Sequence, residues 1–181
     1  MALAITGTGN GSLNNLALSA NTGTIVDTGR AGGIIQVVQG TTNTVVTVTA
    51  ATYTDTTLTA SITPTSSSNK ILVMVSQLFN TVRSASDVGA GVRILRDSTV
   101  IVQPTENTNG PIVGYVDNSF NYIDYHTIQY LDSPATTSTI TYKTQGRAYQ
   151  TSSSGRVVFN WDGLTVTGDP CSVITLMEVV A

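Results

Sequence analysis

Residues Tyr130–Gln145, YLDSPATTSTITYKTQ, read as the end of one strand, a turn at Ser133-Pro134 and the start of another strand. Hydroxyl and apolar residues alternate through Ile140 and Tyr142, the period of two that puts one strand face on a core and the other in water. Pro134 cannot donate to a ladder, so pairing has to stop near it. The stretch is therefore expected to be a hairpin with exposed threonines. It contains almost nothing reactive, which points to a protein that makes a surface rather than one that performs a reaction.

Working outward, FNYIDYHTIQYLD (Phe120–Asp132) alternates, with Tyr122, Asp124 and His126 on one side and Ile123, Tyr125 and Ile128 near the other. KILVMVSQLF (Lys70–Phe79) is nearly continuous in apolar residues, as expected for a central strand covered on both faces. GVRILRDSTVIVQ (Gly91–Gln103) reads as a hairpin tipped by Arg96-Asp97-Ser98. Further strands are expected at Ile34–Gln39, Asn43–Ala50, Leu58–Thr63, Thr139–Tyr149, Gly155–Trp161 and Ser172–Val180, rich in β-branched residues. The threonines of Thr41–Thr63 are expected to face solvent. Turn residues separate the strands, for example Thr63-Pro64-Thr65-Ser66, Asp162-Gly163 and Gly168-Asp169-Pro170. No window as long as an ordinary helix shows a helical period. Short strands at even spacing imply an all-β antiparallel β-sandwich, expected as a jelly roll.

Two regions are expected. Residues 33–181 hold the strands. Residues 1–32 are rich in Gly, Asn, Thr and Ser, with apolar residues only in pairs: Leu3 and Ile5, Leu16 and Leu18, Ile25 and Val26. Such a segment buries too little to offset an ordering entropy of roughly 1 kcal/mol or more per residue. It reads as an extended arm held by a partner, with those six residues as its contacts.

Charged residues are only 10% of the 181 and net charge is −3, while Thr and Ser make up about a quarter of the chain. Solubility rests on hydroxyls and amides, and there is no cluster of Lys and Arg for nucleic acid to bind. The start of the chain lacks the basic and apolar regions of a signal peptide, and no stretch approaches the roughly 20 apolar residues of a membrane helix. A lone cysteine, Cys171, precludes an intrachain disulfide and fits a buried place in the last strand of a protein made in a reducing cytoplasm.

Catalysis has little to draw on. His126 is the single histidine and lies mid-strand, so any Ser-His-Asp or Cys-His site would have to use it there. One His and one Cys cannot make an ordinary zinc site. Only Glu106 and Glu178 accompany nine aspartates, of which Asp97, Asp132, Asp162 and Asp169 occupy turns. Asp117, Asp124 and a turn aspartate could gather oxygen ligands round calcium, but no D-x-[DN]-x-[DN]-G loop is present. No catalytic residue, cofactor or metal is assigned. Tyr115, Tyr122, Tyr125 and Tyr130 cluster along the chain with Phe120 and Tyr142. Core pairing accounts for such residues, and so does a contact face, for which tyrosine is well suited.

GGIIQVVQG, LTASITPTSSSNKILVMVS, ILRDSTVI, YLDSPATTSTITYKTQ and the terminal ITLMEVVA resemble, in order, segments of virion proteins of tailed bacteriophages, particularly marine ones. The resemblance covers about 33–181, and the MALAITGTG opening is similar to the N-termini of phage fibre or decoration proteins. It implies a β domain on the virion surface, often a homotrimer, attached through its N-terminal part, and it brings no catalytic residues. The arm favours a capsid decoration (cement) protein whose partner is the major capsid protein. The alternative is a tail-fibre or receptor-binding protein whose partners are tail proteins and a host surface receptor.

Overall fold

The computed structural model describes residues 31–82, 88–103, 113–116 (backbone only), 122–150, 155–161 and 172–181. It is all-β, and among the described residues there is no helix, so none long and apolar enough to cross a membrane. Eleven strands form: β1 (Ile34–Thr42), β2 (Val46–Val48), β3 (Thr54–Ile62), β4 (Lys70–Val82), β5 (Val88–Arg96), β6 (Thr99–Val102), β7 (Val113–Val116), β8 (Tyr122–Asp132), β9 (Ile140–Gln150), β10 (Arg156–Phe159) and β11 (Ser172–Val179).

Several of these are one strand interrupted. Residues 70–76 of β4 pair with β11 and residues 79–82 with β10, both antiparallel and on the same side of β4. In the same way β1 and β2 lie end to end against β11 and β10, and β6 and β7 lie end to end against β5. Once these breaks are joined, the first sheet runs β1/β2, β11/β10, β4, β8, and the second runs β3, β9, β5, β6/β7. Numbered by position along the chain, the orders are 1-8-3-6 and 2-7-4-5, the double Greek key of a jelly roll.

That topology corrects the reading of Tyr130–Gln145. β8 pairs with β4 in the first sheet, whereas β9 pairs with β3 and β5 in the second, so the stretch is an arch between sheets and not a hairpin. A tight hairpin uses about two loop residues. The link 133–139 is longer, and it carries Pro134 and then Ala135 at φ +54°, which lets it step across the roughly 10 Å between packed sheets. Its threonines are not all exposed either, since Thr144 is fully buried. Thr56, in the run expected to face solvent, is fully buried as well. By contrast the Gly91–Gln103 hairpin forms as expected, with Asp97 at φ +53° and its carboxylate accepting from the Thr141 amide at 2.9 Å.

Side chains from both sheets meet in two apolar clusters. One joins Leu58, Ile62, Ile71, Val73, Ile94, Tyr142 and Leu176; the other joins Val48, Phe79, Val88, Val92, Val157 and Phe159. Between them lies a belt of buried polar groups. Gln77 Oε1 accepts from the hydroxyls of Thr56 (3.0 Å) and Thr144 (2.8 Å), while its Nε2 donates to Asn160 Oδ1 and Ser172 Oγ, both at 2.8 Å. β1 passes close to β3: a Cβ on Gly40 would stand 2.0 Å from the Thr59 carbonyl oxygen, so only glycine fits.

β4 is only partly as expected. Beyond Gln77 both faces are covered, with Leu78 and Asn80 buried on the outer one, but Leu72 and Met74 on that face are only half-buried. β8 is also divided differently. Ile128 shares the core-facing side with Tyr122, Asp124 and His126, and it packs against both clusters, while Ile123 and Tyr125 turn outward. Strict alternation requires this grouping of even-numbered residues, because the strand has no bulge against β4.

Candidate functional site

Leu3, Ile5, Leu16, Leu18, Ile25 and Val26 of the arm lie outside the described residues, as do Asp117, Glu106 and Cys171. Gly32, the last residue of the arm, lies against the end of β11. There the Gly32 amide donates to the Val180 carbonyl at 2.8 Å and the Val180 amide to the Gly33 carbonyl at 2.9 Å, which extends the β1–β11 ladder to the edge of the first sheet.

The two sheets present outer faces of opposite chemistry. On the second sheet the polar groups bind one another. Arg93 donates through Nε (2.9 Å) and Nη2 (2.6 Å) to Gln145 Oε1 and through Nη1 to Gln103. Gln145 Nε2 and Lys143 Nζ donate in turn to the two oxygens of Asp55, at 2.6 and 2.8 Å. The Lys143 ammonium, first among several partners, holds the Asp55 carboxyl below its ordinary value. Tyr53 lies under the Arg93 guanidinium, 4.1 Å from the ring centre, with Arg147 at 5.2 Å.

The outer face of the first sheet carries an apolar row at the end where the arm joins. Val37 pairs with Met177, Met177 with Leu72 and Leu72 with Leu131, so the four side chains line up across the four strands. Val37 is 58% exposed and Leu131 47%, with Ile34 beside them at 55%. Exposed apolar groups on this scale mark a contact surface when they are contiguous.

Among the described residues β8 is one of the two edge strands of that sheet, and it gathers three of the four candidate tyrosines. Tyr122, Tyr125 and Tyr130 are all exposed, but they do not share a side: Tyr125 faces outward with Ile123 and Leu131, whereas Tyr122 and Tyr130 lean toward the second sheet. The Tyr122 ring packs against Phe79 at 6.1 Å, and its hydroxyl donates to Asp124 Oδ2 at 2.7 Å. That bond, with the Tyr125 amide on Oδ1, keeps Asp124 ionised below the usual carboxylate range and raises the Tyr122 hydroxyl. Of Tyr115, only the backbone on β7 is described.

His126 is half-buried on the core side of β8, and burial lowers its pKa against the opposing pull of Asp124. Asp132, expected in a turn, is instead buried at the end of β8. It accepts from Arg96 Nη1 at 2.8 and 3.0 Å and from the Tyr142 hydroxyl at 2.7 Å, which ties β8 of one sheet to β5 and β9 of the other. Burial, reinforced by that carboxylate, pushes the Tyr142 hydroxyl far above its usual range, so it remains a donor. Glu178 is buried on β11, where it accepts from the Thr65 amide (2.6 Å), the Thr65 hydroxyl (2.8 Å) and Asn69 Nδ2 (2.7 Å). These carboxylates hold elements in place. Among the described residues no three of His, Cys, Asp and Glu are grouped to hold a metal ion.

No family model matches the sequence, and no curated protein matches it. Among solved structures, one that is similar is a structure of the infectious bursal disease virus Gx strain, at 14% identity and a TM-score of 0.27. The similarity covers 76% of this chain and 38% of that one, so this chain spans under two-fifths of that protein's length.

Proposed function

We propose that this chain is a structural protein of a bacteriophage virion, a capsid decoration protein that binds the head exterior through residues 1–32 and displays the jelly roll. The observation that carries the reading is the division of surfaces. The second sheet offers a polar face on which Lys143 pairs with Asp55 and Arg93 is held by Gln145 and Gln103, suited to water, while the first offers an apolar, weakly charged row beside the point where the arm joins. A domain that docks at its arm end and exposes its far face requires that division. The segment-by-segment resemblance to phage virion proteins points the same way, and in this reading the chain catalyses nothing.

Deletion of residues 2–30, followed by addition of the protein to particles lacking it, tests the attachment. The expected result is a domain of unchanged β content that no longer decorates the head, because six apolar residues at roughly 1.5–3 kcal/mol each are removed from the contact. With only Asp27 and Arg30 as charges in the arm, binding of the intact protein should survive high salt. Normal occupancy by the truncated protein overturns the reading. Counting copies per virion separates head from tail: hundreds fit decoration, and a handful moves the domain to the tail-fibre alternative.

A further inference from the structure

We propose that the domain docks flat: the outer face of its first sheet lies against an uncharged surface of the same shell subunit that receives residues 1–32. This rests on the reading of the chain as a decoration protein, to which it adds a surface, an orientation and the chemistry of the partner.

The apolar row is the first of three. Beside the row that runs from Val37 to Leu131 lie two more, from Gln39 to Gln129 and from Thr41 to Thr127, each crossing β1, β11, β4 and β8 in register. No side chain in the three rows carries a charge. Val37, Gln39, Thr41, Thr127, Gln129 and Leu131 are all exposed. The outer face of the second sheet, by contrast, carries Asp55, Arg93, Lys143 and Arg147. Charge returns on the first sheet only past the ends of the rows, where Lys70 on β4 and Arg156 on β10 are exposed and by alternation turn outward. An uncharged middle with charges at its margin is the layout of a contact surface.

The middle also has an anchor point. Ser76 is small among larger neighbours, and it floors a depression of about 180 Å³ walled by Met74, Val173, Thr175, Thr127 and Gln129. A benzene-sized group occupies about 150 Å³, so one large uncharged side chain of a partner fits there. Interfaces are held chiefly by such residues seated in pockets. Among the described residues one side-chain hydrogen bond joins members of the rows, Gln39 Nε2 to Thr175 Oγ1 at 3.2 Å. The Ser76, Thr127 and Gln129 groups therefore suit a partner that offers hydroxyls and amides around its apolar knob.

Area explains why the arm is needed. Four strands about 4.8 Å apart and three rows about 6.8 Å apart cover roughly 400 Å². Each partner in a stable interface gives up about 800 Å², so the face alone holds weakly. The Gly32–Val180 hydrogen bond brings the arm off the domain next to the first row, which sets both contacts on neighbouring parts of one partner. An arm already bound holds the face at an effective concentration on the order of millimolar, and a contact weak by itself then adds to the grip.

Titration of particles lacking the protein with the full chain tests this, read as the concentration at half-saturation. Thr175→Lys in the middle of the face and Gln129→Lys at an exposed position should each raise it about tenfold or more, since each buries an ammonium without a counter-charge. Gln129→Leu, and Ser61→Lys on the exposed outer side of β3, should leave it within about twofold. Circular dichroism should be the same for all. Unchanged binding by both face variants, with binding still lost on deletion of residues 2–30, overturns the flat docking alone. An unaltered chain that does not bind particles overturns the decoration reading and the docking with it. Light scattering without particles should give one mass for the unaltered chain and for Gln129→Lys. A mass that falls with the substitution assigns the face to a second copy and overturns the proposal.

Discussion

Replacing Gln77 with leucine tests whether the polar belt specifies the core or merely interrupts it. Leucine fills nearly the same volume, so cavity formation is a minor factor. Four hydrogen bonds are lost, two accepted from Thr56 and Thr144 and two donated to Asn160 and Ser172. At about 1 kcal/mol net for each, the loss is about 4 kcal/mol. Two features reduce it. Thr56 and Thr144 keep each other, and Ser172 keeps Asn160 Oδ1 and the Leu78 amide, so no partner is orphaned outright. The added apolar surface returns roughly 1 kcal/mol. The expected net loss is about 3 kcal/mol, a large part of a typical 5–15 kcal/mol.

Urea unfolding is the assay. The midpoint should fall with an unchanged slope, and the melting temperature should drop by about 6–12 °C. Adding Thr144→Val to Gln77→Leu should then cost little, because removing both partners of a buried bond is far cheaper than removing one. A loss under about 1 kcal/mol for Gln77→Leu, or a further large loss on adding Thr144→Val, would refute the assignment.

Two further substitutions probe the rest of the core. Burial alone would raise the Glu178 carboxyl, but bonds from Asn69, Thr65 and Ser66 outweigh it and hold the folded pKa below the ordinary 4.5, so the stability it confers is full above that pH and lost as pH falls through the lower, folded value. Glu178→Gln should cost on the order of 2 kcal/mol at neutral pH and flatten the acid side of the stability curve, with the difference between the two curves separating Glu178 from His126 and Asp55; parallel curves would remove Glu178 as the cause. Gly146→Ala would place a Cβ 2.1 Å from Phe159 Cζ inside the core, so it should cost about 1–3 kcal/mol, and Phe159→Leu in the same chain should recover part of that in a double-mutant cycle; simple additivity would count against the clash.

The strands were legible because period two and turn residues are local. Lys70–Phe79, Gly91–Gln103 and Ser172–Val180 all fall where they were read. Pairing was not legible, because β8 and β9 look like a hairpin in sequence and only the sheet partners of each, contributed from residues 54–62, 70–82 and 88–96, show that they belong to different sheets. β7 was missed because four residues, Val113–Val116, are too short for a period to register. The aromatic cluster was legible as a list but not as a surface: alternation sends Tyr125 out and Tyr142 into the core, and which side is buried depends on the opposing sheet. Gln77 had one signal. It shares parity with Ile71, Val73 and Val75, so a glutamine there had to face the core. Nothing local could indicate that Thr56, Thr144, Asn160 and Ser172 would meet it.

The position of that belt has a structural cause. Two neighbouring strands break at the same level, β1/β2 at residues 43–45 and β10/β11 between Phe159 and Ser172. Each break removes ladder partners from the strand beside it, and a buried backbone group without a partner costs about as much as a lost hydrogen bond. The side chains supply what the ladder lacks. Ser172 Oγ accepts from the Leu78 amide at 2.9 Å, and Asn160 Nδ2 donates to the Thr44 carbonyl at 2.7 Å and the Thr56 carbonyl at 2.8 Å. Asn160 reaches them from φ +60°, a conformation asparagine tolerates better than most residues. Gln77 then joins these substitutes to the second sheet. The belt is therefore what covers the break between Phe159 and Ser172 without unpairing the core, so that the two apolar clusters on either side of it stay closed.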